Sequence, residues 1–130
     1  LLIKQIAEKY QLELLILIGS YGTDDFKSGE SDIDIAYLTE NPLSVNDKLA
    51  FLNDISQFYQ YSKIDLIDLQ KAAGLLKYKV AIEGRPIYEQ YAGQFDRYYL
   101  YCLRYYYDTE KFRKLRSKYL EEQLEALRRD

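Results

Sequence analysis

Histidine, tryptophan and methionine are absent from this sequence, and cysteine occurs once in 130 residues. Cys102 alone cannot form an internal disulfide, and without histidine no Cys/His zinc cluster can be assembled. A reducing, cytoplasmic location is the expectation. Because even an initiator methionine is missing, the sequence is expected to lack the opening residues of its translated chain. No long apolar run is present either. The longest aliphatic run, Leu14 to Ile18, falls far short of the ~20 residues that cross a bilayer, and no basic-then-apolar leader opens the chain, so no membrane location is expected.

A strong excess of either charge is also lacking. Residues 1–92 carry nine Lys and Arg against fourteen Asp and Glu, net −5, whereas residues 93–130 carry nine against seven, net +2. Binding of long nucleic acid needs many phosphate-neutralising cations, so direct nucleic-acid binding is not expected. The acidic part points instead to a bound metal. What is present is a hydrophobic fraction of 48% and a charged fraction of 30%, ordinary for one globular domain of about 100–150 residues. The anomaly is tyrosine, with fifteen in all and seven within the seventeen positions from Tyr91 to Tyr107.

Periodicity sets the organisation. Leu2, Ile3, Ile6 and Tyr10 mark one face of a helix to about Gln11, and the aliphatic run Leu14–Ile18, closed by Gly19, reads as a buried strand. Residues 21–30 form a polar loop, and Ser31 to Leu38 alternates as a second strand. After Asn41-Pro42, Ser44 or Asn46 caps a helix to about Gln60 that carries Val45, Leu49, Leu52, Ile55 and Phe58 or Tyr59. Residues 63–68 alternate as a third strand, a helix from about Leu69 to Ile82 stops at Gly84-Arg85-Pro86, and Ile87-Tyr88 adds a short edge strand. From Tyr91 two helices are expected, about 94–107 and 109–128, with Asp108-Thr109 as break and cap. The expected fold is a small mixed α/β sheet with flanking helices and a C-terminal helical hairpin, a core at 1–90 and a tyrosine-rich extension at 91–130 of the same single domain.

Gly19-Ser20 is followed, after the eleven residues 21–31, by Asp32-Ile33-Asp34. Residues two apart on a strand share a face, so Asp32 and Asp34 project together while Ile33 and Ile35 anchor the other side. Two close carboxylates repel unless a cation lies between them, and magnesium, a hard ion that prefers oxygen, suits that place. Asp65 faces away from Ile64 and Leu66 and joins the pair if the strands are neighbours. Three such acids suit two-metal chemistry, with ions about 4 Å apart. A glycine at a strand end lets backbone N–H groups approach a phosphate, and the serine adds a hydroxyl. Together these features describe nucleotidyl transfer. Each alone has a plainer reading: Asp-x-Asp is common in an acidic chain, and a strand-end Gly-Ser is commoner still.

Gly19-Ser20-Tyr21 with Ser31-Asp32-Ile33-Asp34-Ile35 resembles the signature of the polymerase-beta-like nucleotidyltransferase superfamily, in its smallest branch, the minimal nucleotidyltransferases. Ile64-Asp65-Leu66-Ile67 is similar to that family's third-aspartate strand, and Leu69 through Gly84-Arg85-Pro86-Ile87-Tyr88 to its closing helix and glycine-led strand. The tail with Tyr105-Tyr106-Tyr107-Asp108 resembles the branch that serves as antitoxin in HEPN/minimal-nucleotidyltransferase pairs. The resemblance implies transfer of AMP from ATP to a tyrosine hydroxyl of a cognate HEPN ribonuclease toxin, which silences it. It implies that Asp32 and Asp34 hold Mg2+, that Asp65 completes the site or helps deprotonate the acceptor, and that Gly19 and Ser20 grip the triphosphate. The implied partners are the toxin and ATP, with self-association and a hetero-oligomer with the toxin both open.

The sequence departs from the branch in one place. The loop from Ser20 to Asp32 is one residue longer than usual there, and Gly22-Thr23-Asp24-Asp25 replaces a run that normally carries a basic residue. Lys27 and Arg85 are candidates to replace that charge, with an ordinary exposed cation as the plainer reading of either. Tyr98, Tyr101 and Tyr105, like Tyr99, Leu103 and Tyr106, follow helical spacing. They read as packing on the core with phenols at its rim, as a partner surface, or as stacking platforms for bases. Phe112, Leu115, Tyr119, Leu120, Leu124 and Leu127 make an apolar stripe for docking another helix or a second copy. Two alternatives to the antitoxin enzyme stand beside it: AMP transfer to a small-molecule hydroxyl, as similar folds perform on aminoglycosides, and an idle antitoxin that neutralises by binding alone.

Overall fold

The computed structural model describes residues 2–129. In chain order the elements are α1 (Ile3–Lys9), β1 (Leu12–Ile18), β2 (Ile33–Thr39), α2 (Val45–Tyr59), β3 (Ile64–Asp68), α3 (Gly74–Glu83), β4 (Arg85–Glu89), α4 (Gln94–Asp108) and α5 (Glu110–Arg129). The strands form one sheet in the order β3-β2-β1-β4. β1 runs antiparallel to both β2 and β4, and β2 pairs with β3 in parallel. Among the described residues, no helix is long and apolar enough to cross a membrane.

The aliphatic run of β1 is continuous because the strand is interior and covered on both faces. Leu15 and Leu17 pack with Ile33, Ile35 and Tyr37 of β2 under Ile6 of α1 and Phe51 and Ile55 of α2. Leu14, Ile16 and Ile18 pack on the opposite face with Ala36, under Val80 of α3 and Tyr98 and Cys102 of α4. Burial pushes the Cys102 thiol up, so the lone cysteine is a core residue. Of the two candidate caps, Ser44 and not Asn46 starts α2, its hydroxyl accepting from the Asp47 N–H at 3.1 Å. Asp54 of α2 accepts from the Tyr10 hydroxyl at 2.6 Å and from Lys9 at 2.9 Å, which fixes α1 on α2.

Most ends shift by a residue or two, β4 already begins at Arg85, and two larger differences from the periodicity stand out. The helix expected from Leu69 starts only at Gly74. Residues 69–72 are tied to the sheet end instead: the Leu69 N–H donates to the Tyr37 carbonyl at 3.0 Å, and the Gln70 side chain donates to the Thr39 carbonyl at 2.7 Å. The Asp68 carboxylate accepts from the Gln70 N–H at 3.0 Å, an Asx turn that holds the chain out of a helix.

The second difference is the C-terminal hairpin. Thr109 interrupts the helix for one residue, its hydroxyl donating to the Tyr105 carbonyl at 2.8 Å, while the Arg113 N–H bonds back to Thr109 at 3.1 Å. A break this short does not reverse the chain. α5 has no buried residue, and Phe112 and Leu127 are 69% and 72% exposed, so its stripe does not fold back along α4. The tyrosines of α4 are used mainly against α3. Tyr106 stacks on Tyr78 with centroids 4.2 Å apart, and Lys77 lies over the Tyr105 ring at 4.5 Å.

Gly84 shows why α3 can turn directly into β4. A Cβ there would stand 2.6 Å from Ile16 Cγ2 and would press on the Val80 backbone, both in the core. Gly84→Ala is expected to cost about 1–3 kcal/mol, the range for overpacking a rigid interior. Urea denaturation checks this, with a lowered midpoint at unchanged slope as the expected result.

Candidate active site

The site lies where β1 ends and β2 and β3 begin, on the face shared with α3. The parallel register sets Asp34 directly opposite Asp65, with Ile33 opposite Ile64 and Ile35 opposite Leu66. The isoleucines and Leu66 enter the core beneath α2, so the two aspartates emerge together on the other face. Asp65 is therefore on the side of Asp34, as the alternation predicts. Asp32 immediately precedes β2 and is exposed, Asp34 is half-buried, and Asp65 is exposed.

The three carboxylates act on one another. The Asp34 carboxyl is held above the usual carboxylate range, first by burial and then by the negative charges of Asp65 and Asp32, while Lys79 opposes the rise. Partial burial and unbalanced negative charge make Asp34 the point where a cation is most needed. Oxygen-only donors of this kind suit a hard ion such as Mg2+. Among the described residues, however, no three acidic or cysteine side chains already converge as a finished metal cage. The donor chemistry fits the ion; the side chains do not stand preset around it.

β1 delivers Gly19 into this group. Gly19 has φ +79°, and a Cβ there would lie 2.6 Å from Asp34 Oδ2, so only glycine lets the turn pass against that carboxylate. Ser20 follows at the open end, its carbonyl accepting from the Thr23 N–H at 2.9 Å. The long loop after it is anchored by aromatic rings. Tyr21 packs edge-on against Phe26 and Tyr59, with centroids 5.1 and 5.4 Å apart, and Phe26 meets Tyr61 at 5.6 Å. The Tyr61 hydroxyl donates to the Ser31 carbonyl just before Asp32 and accepts from the Gly29 N–H.

Two cations stand near the site. Lys79 of α3 is exposed and acts on Asp34 through its charge, and nothing in the linear pattern distinguishes it from the lysines of an ordinary helix. Arg85 is half-buried and hydrogen-bonded, not the ordinary exposed cation of the plainer reading: its Nη2 donates to the Gly19 carbonyl at 3.1 Å and to the Tyr21 carbonyl at 2.8 Å. Lys27 remains exposed in the loop.

An acidic strand pair beside a glycine turn, in a small mixed sheet, is the arrangement of a nucleotide-handling domain. The family model for polymerase beta nucleotidyltransferases matches residues 2–92, and the chain belongs to that family. It is 27% identical over 120 residues to the protein adenylyltransferase MntA of Aphanizomenon flos-aquae, covering 85% of this chain and 79% of that protein. Among solved structures, a toxin–antitoxin crystal structure with AMP-PNP superposes with a TM-score of 0.73 at 21% identity, over 92% of this chain and 95% of that one. A complex of tri-AMPylated Shewanella oneidensis HEPN toxin with MNT antitoxin gives 0.67 at 22%, over 94% and 92%. At such identities the solved structures establish the fold.

The raised Asp34 fixes a pH dependence. Its folded form binds its proton more tightly than the ordinary carboxyl with a pKa of 3.8, so its favourable contribution is present below that value and is lost as pH rises through the raised one. In metal-free protein Asp34→Asn is expected to melt higher than the parent at neutral pH, the two curves converging under acid. Magnesium should raise the melting temperature of the parent and leave that of the variant unmoved. Calorimetry across pH, with and without Mg2+, checks both.

Proposed function

We propose that this chain is an antitoxin adenylyltransferase that transfers AMP from ATP to a tyrosine hydroxyl of a cognate HEPN ribonuclease toxin and so silences it. The observation that carries the reading is the in-register neighbourhood of Asp34 and Asp65 beside a Gly19 turn that touches the Asp34 carboxylate. Similarity to MntA and to the toxin–antitoxin structures supports the choice of acceptor.

In this reading Asp32, Asp34 and Asp65 would hold Mg2+, which when bound supplies charge neutralisation at the triphosphate and activation of the attacking oxygen. The turn that Gly19 opens presents backbone N–H groups to the phosphates and Ser20 adds its hydroxyl. Lys79 brings positive charge to the same side of the sheet. The phenolic oxygen of the acceptor forms a bond to the α-phosphorus as the bond to pyrophosphate breaks. Asp65, the exposed member of the β2/β3 pair, takes the phenolic proton. Little covalent work falls to the protein; positioning and electrostatics carry the reaction.

The test is incubation with α-labelled ATP, Mg2+ and the product of the neighbouring gene, for which a HEPN-type sequence is expected. Label on a toxin tyrosine is expected, with loss of ribonuclease activity. Asp32→Asn, Asp34→Asn and Asp65→Asn should each lower the transfer rate by about 100-fold or more while leaving the complex with the toxin intact. Complex formation without label would show neutralisation by binding. Label on a hydroxylated small molecule, and none on the toxin, would show the aminoglycoside-type reaction.

A further inference from the structure

We infer that Arg85 is the positioning residue of the phosphate turn: from β4 it holds the Gly19–Gly22 backbone against Asp34, so that the triphosphate cradle and the metal-binding carboxylate keep one relative geometry. The inference rests on the transferase reading above and assigns a residue outside the carboxylate set.

Three contacts carry it. β4 pairs with β1 so that Arg85 stands opposite Leu17, two residues before the turn begins. From there its Nη2 donates to two alternate carbonyls of the turn, Gly19 at 3.1 Å and Tyr21 at 2.8 Å. Its Nη1 lies 3.1 Å from where a Gly22 Cβ would be, so the guanidinium underlies the whole turn. On its other side Gly19 meets the Asp34 carboxylate, with 2.6 Å available to a Cβ. Gly19 is thus pinched between the cation of β4 and the acid of β2.

Peptide planarity turns this clamp into a function. In a trans peptide the C=O and the following N–H point in opposite directions. With the Gly19 and Tyr21 carbonyls drawn to Arg85, the Ser20 and Gly22 N–H groups point away from it, to the side where an anion would be received. Alternate N–H groups aimed one way make an anion-binding concavity. The positive charge behind the turn reinforces it, and the turn needs that charge, since Gly22-Thr23-Asp24-Asp25 contributes two acids and no base. Guanidinium suits the task because it is always charged and directs several N–H groups in a fixed plane, whereas ammonium is a hydrated point charge.

The experiment titrates full-length protein with a fluorescent AMP-PNP analogue at several Mg2+ concentrations and then measures transfer kinetics. Arg85→Ala should weaken analogue binding about tenfold, the scale of hydrogen bonds made by a charged donor. It should also raise the Mg2+ requirement and leave KM for the acceptor protein unchanged. Guanidinium ion added at millimolar concentration should restore most of the lost affinity, while ammonium should not. Arg85→Lys, which keeps the charge and most of the stem, should fall between parent and Arg85→Ala. Analogue binding within twofold of the parent in Arg85→Ala would overturn the inference alone. So would a fall in kcat with unchanged nucleotide and Mg2+ affinity, which is what a smaller folded fraction gives. A parent protein that binds no nucleotide would overturn the transferase reading and this inference with it.

Discussion

Everything at the site depends on the parallel pairing of β2 with β3. That pairing sets two aspartates side by side on one face of a sheet whose other face is filled by Ile33, Ile35, Ile64 and Leu66. Cross-strand like charges are unfavourable, and here one of them is also partly desolvated. The apolar side offsets that cost by locking the register, since a one-residue slip would drive the carboxylates into the core and the isoleucines into water. The fold therefore holds a charge conflict in place, one that a bound divalent ion would relieve. Such stored repulsion is the usual trade between a stable surface and a working site.

The remainder of the site is organised around Gly19. It must adopt a left-handed backbone and admit the Asp34 carboxylate, two demands that no other residue meets together. The turn it opens is restrained from three directions. Arg85 holds its carbonyls, the Tyr21 ring enters the aromatic group with Phe26 and Tyr59, and Tyr61 ties the far end of the loop next to Asp32. An eleven-residue loop with little burial of its own would otherwise sample many conformations at a site that needs one. Tyrosine suits this role because the ring packs while the hydroxyl caps backbone groups.

The tyrosine excess divides by environment. Tyr10 and Tyr37 complete the core around Phe51, while Tyr21, Tyr59 and Tyr61 hold the loop. Tyr78 and Tyr106 join α3 to α4, and Arg113 lies over Tyr106 at 3.7 Å, bridging the start of α5 to the same stack. α3 is thereby fixed against α4, and Lys79, whose charge acts on Asp34, sits on a helix that is itself braced. Beyond that brace α5 leaves the body as an amphipathic helix with its apolar positions in solvent. Its length agrees with the periodicity and its direction does not, because a stripe records which residues prefer burial and not whether a surface is there to bury them.

The sequence by itself determined the strands, the presence of a polar cap before α2, the buried run of β1 and the alternation that turns Asp34 and Asp65 to the face opposite Ile33 and Ile35. These follow from side-chain period and backbone propensity, which act over a few residues. The delayed start of α3 escaped it because bonds from Leu69 and Gln70 to residues about thirty positions earlier outweigh local helix preference. Lys79 and the bonded state of Arg85 escaped it for the same reason: a cation has no period and takes its meaning from what it meets. Only the tertiary structure decided that β3 lies beside β2, that Gly19 touches Asp34 and that Arg85 lies beneath the turn, since each is a contact between segments brought together when the sheet forms.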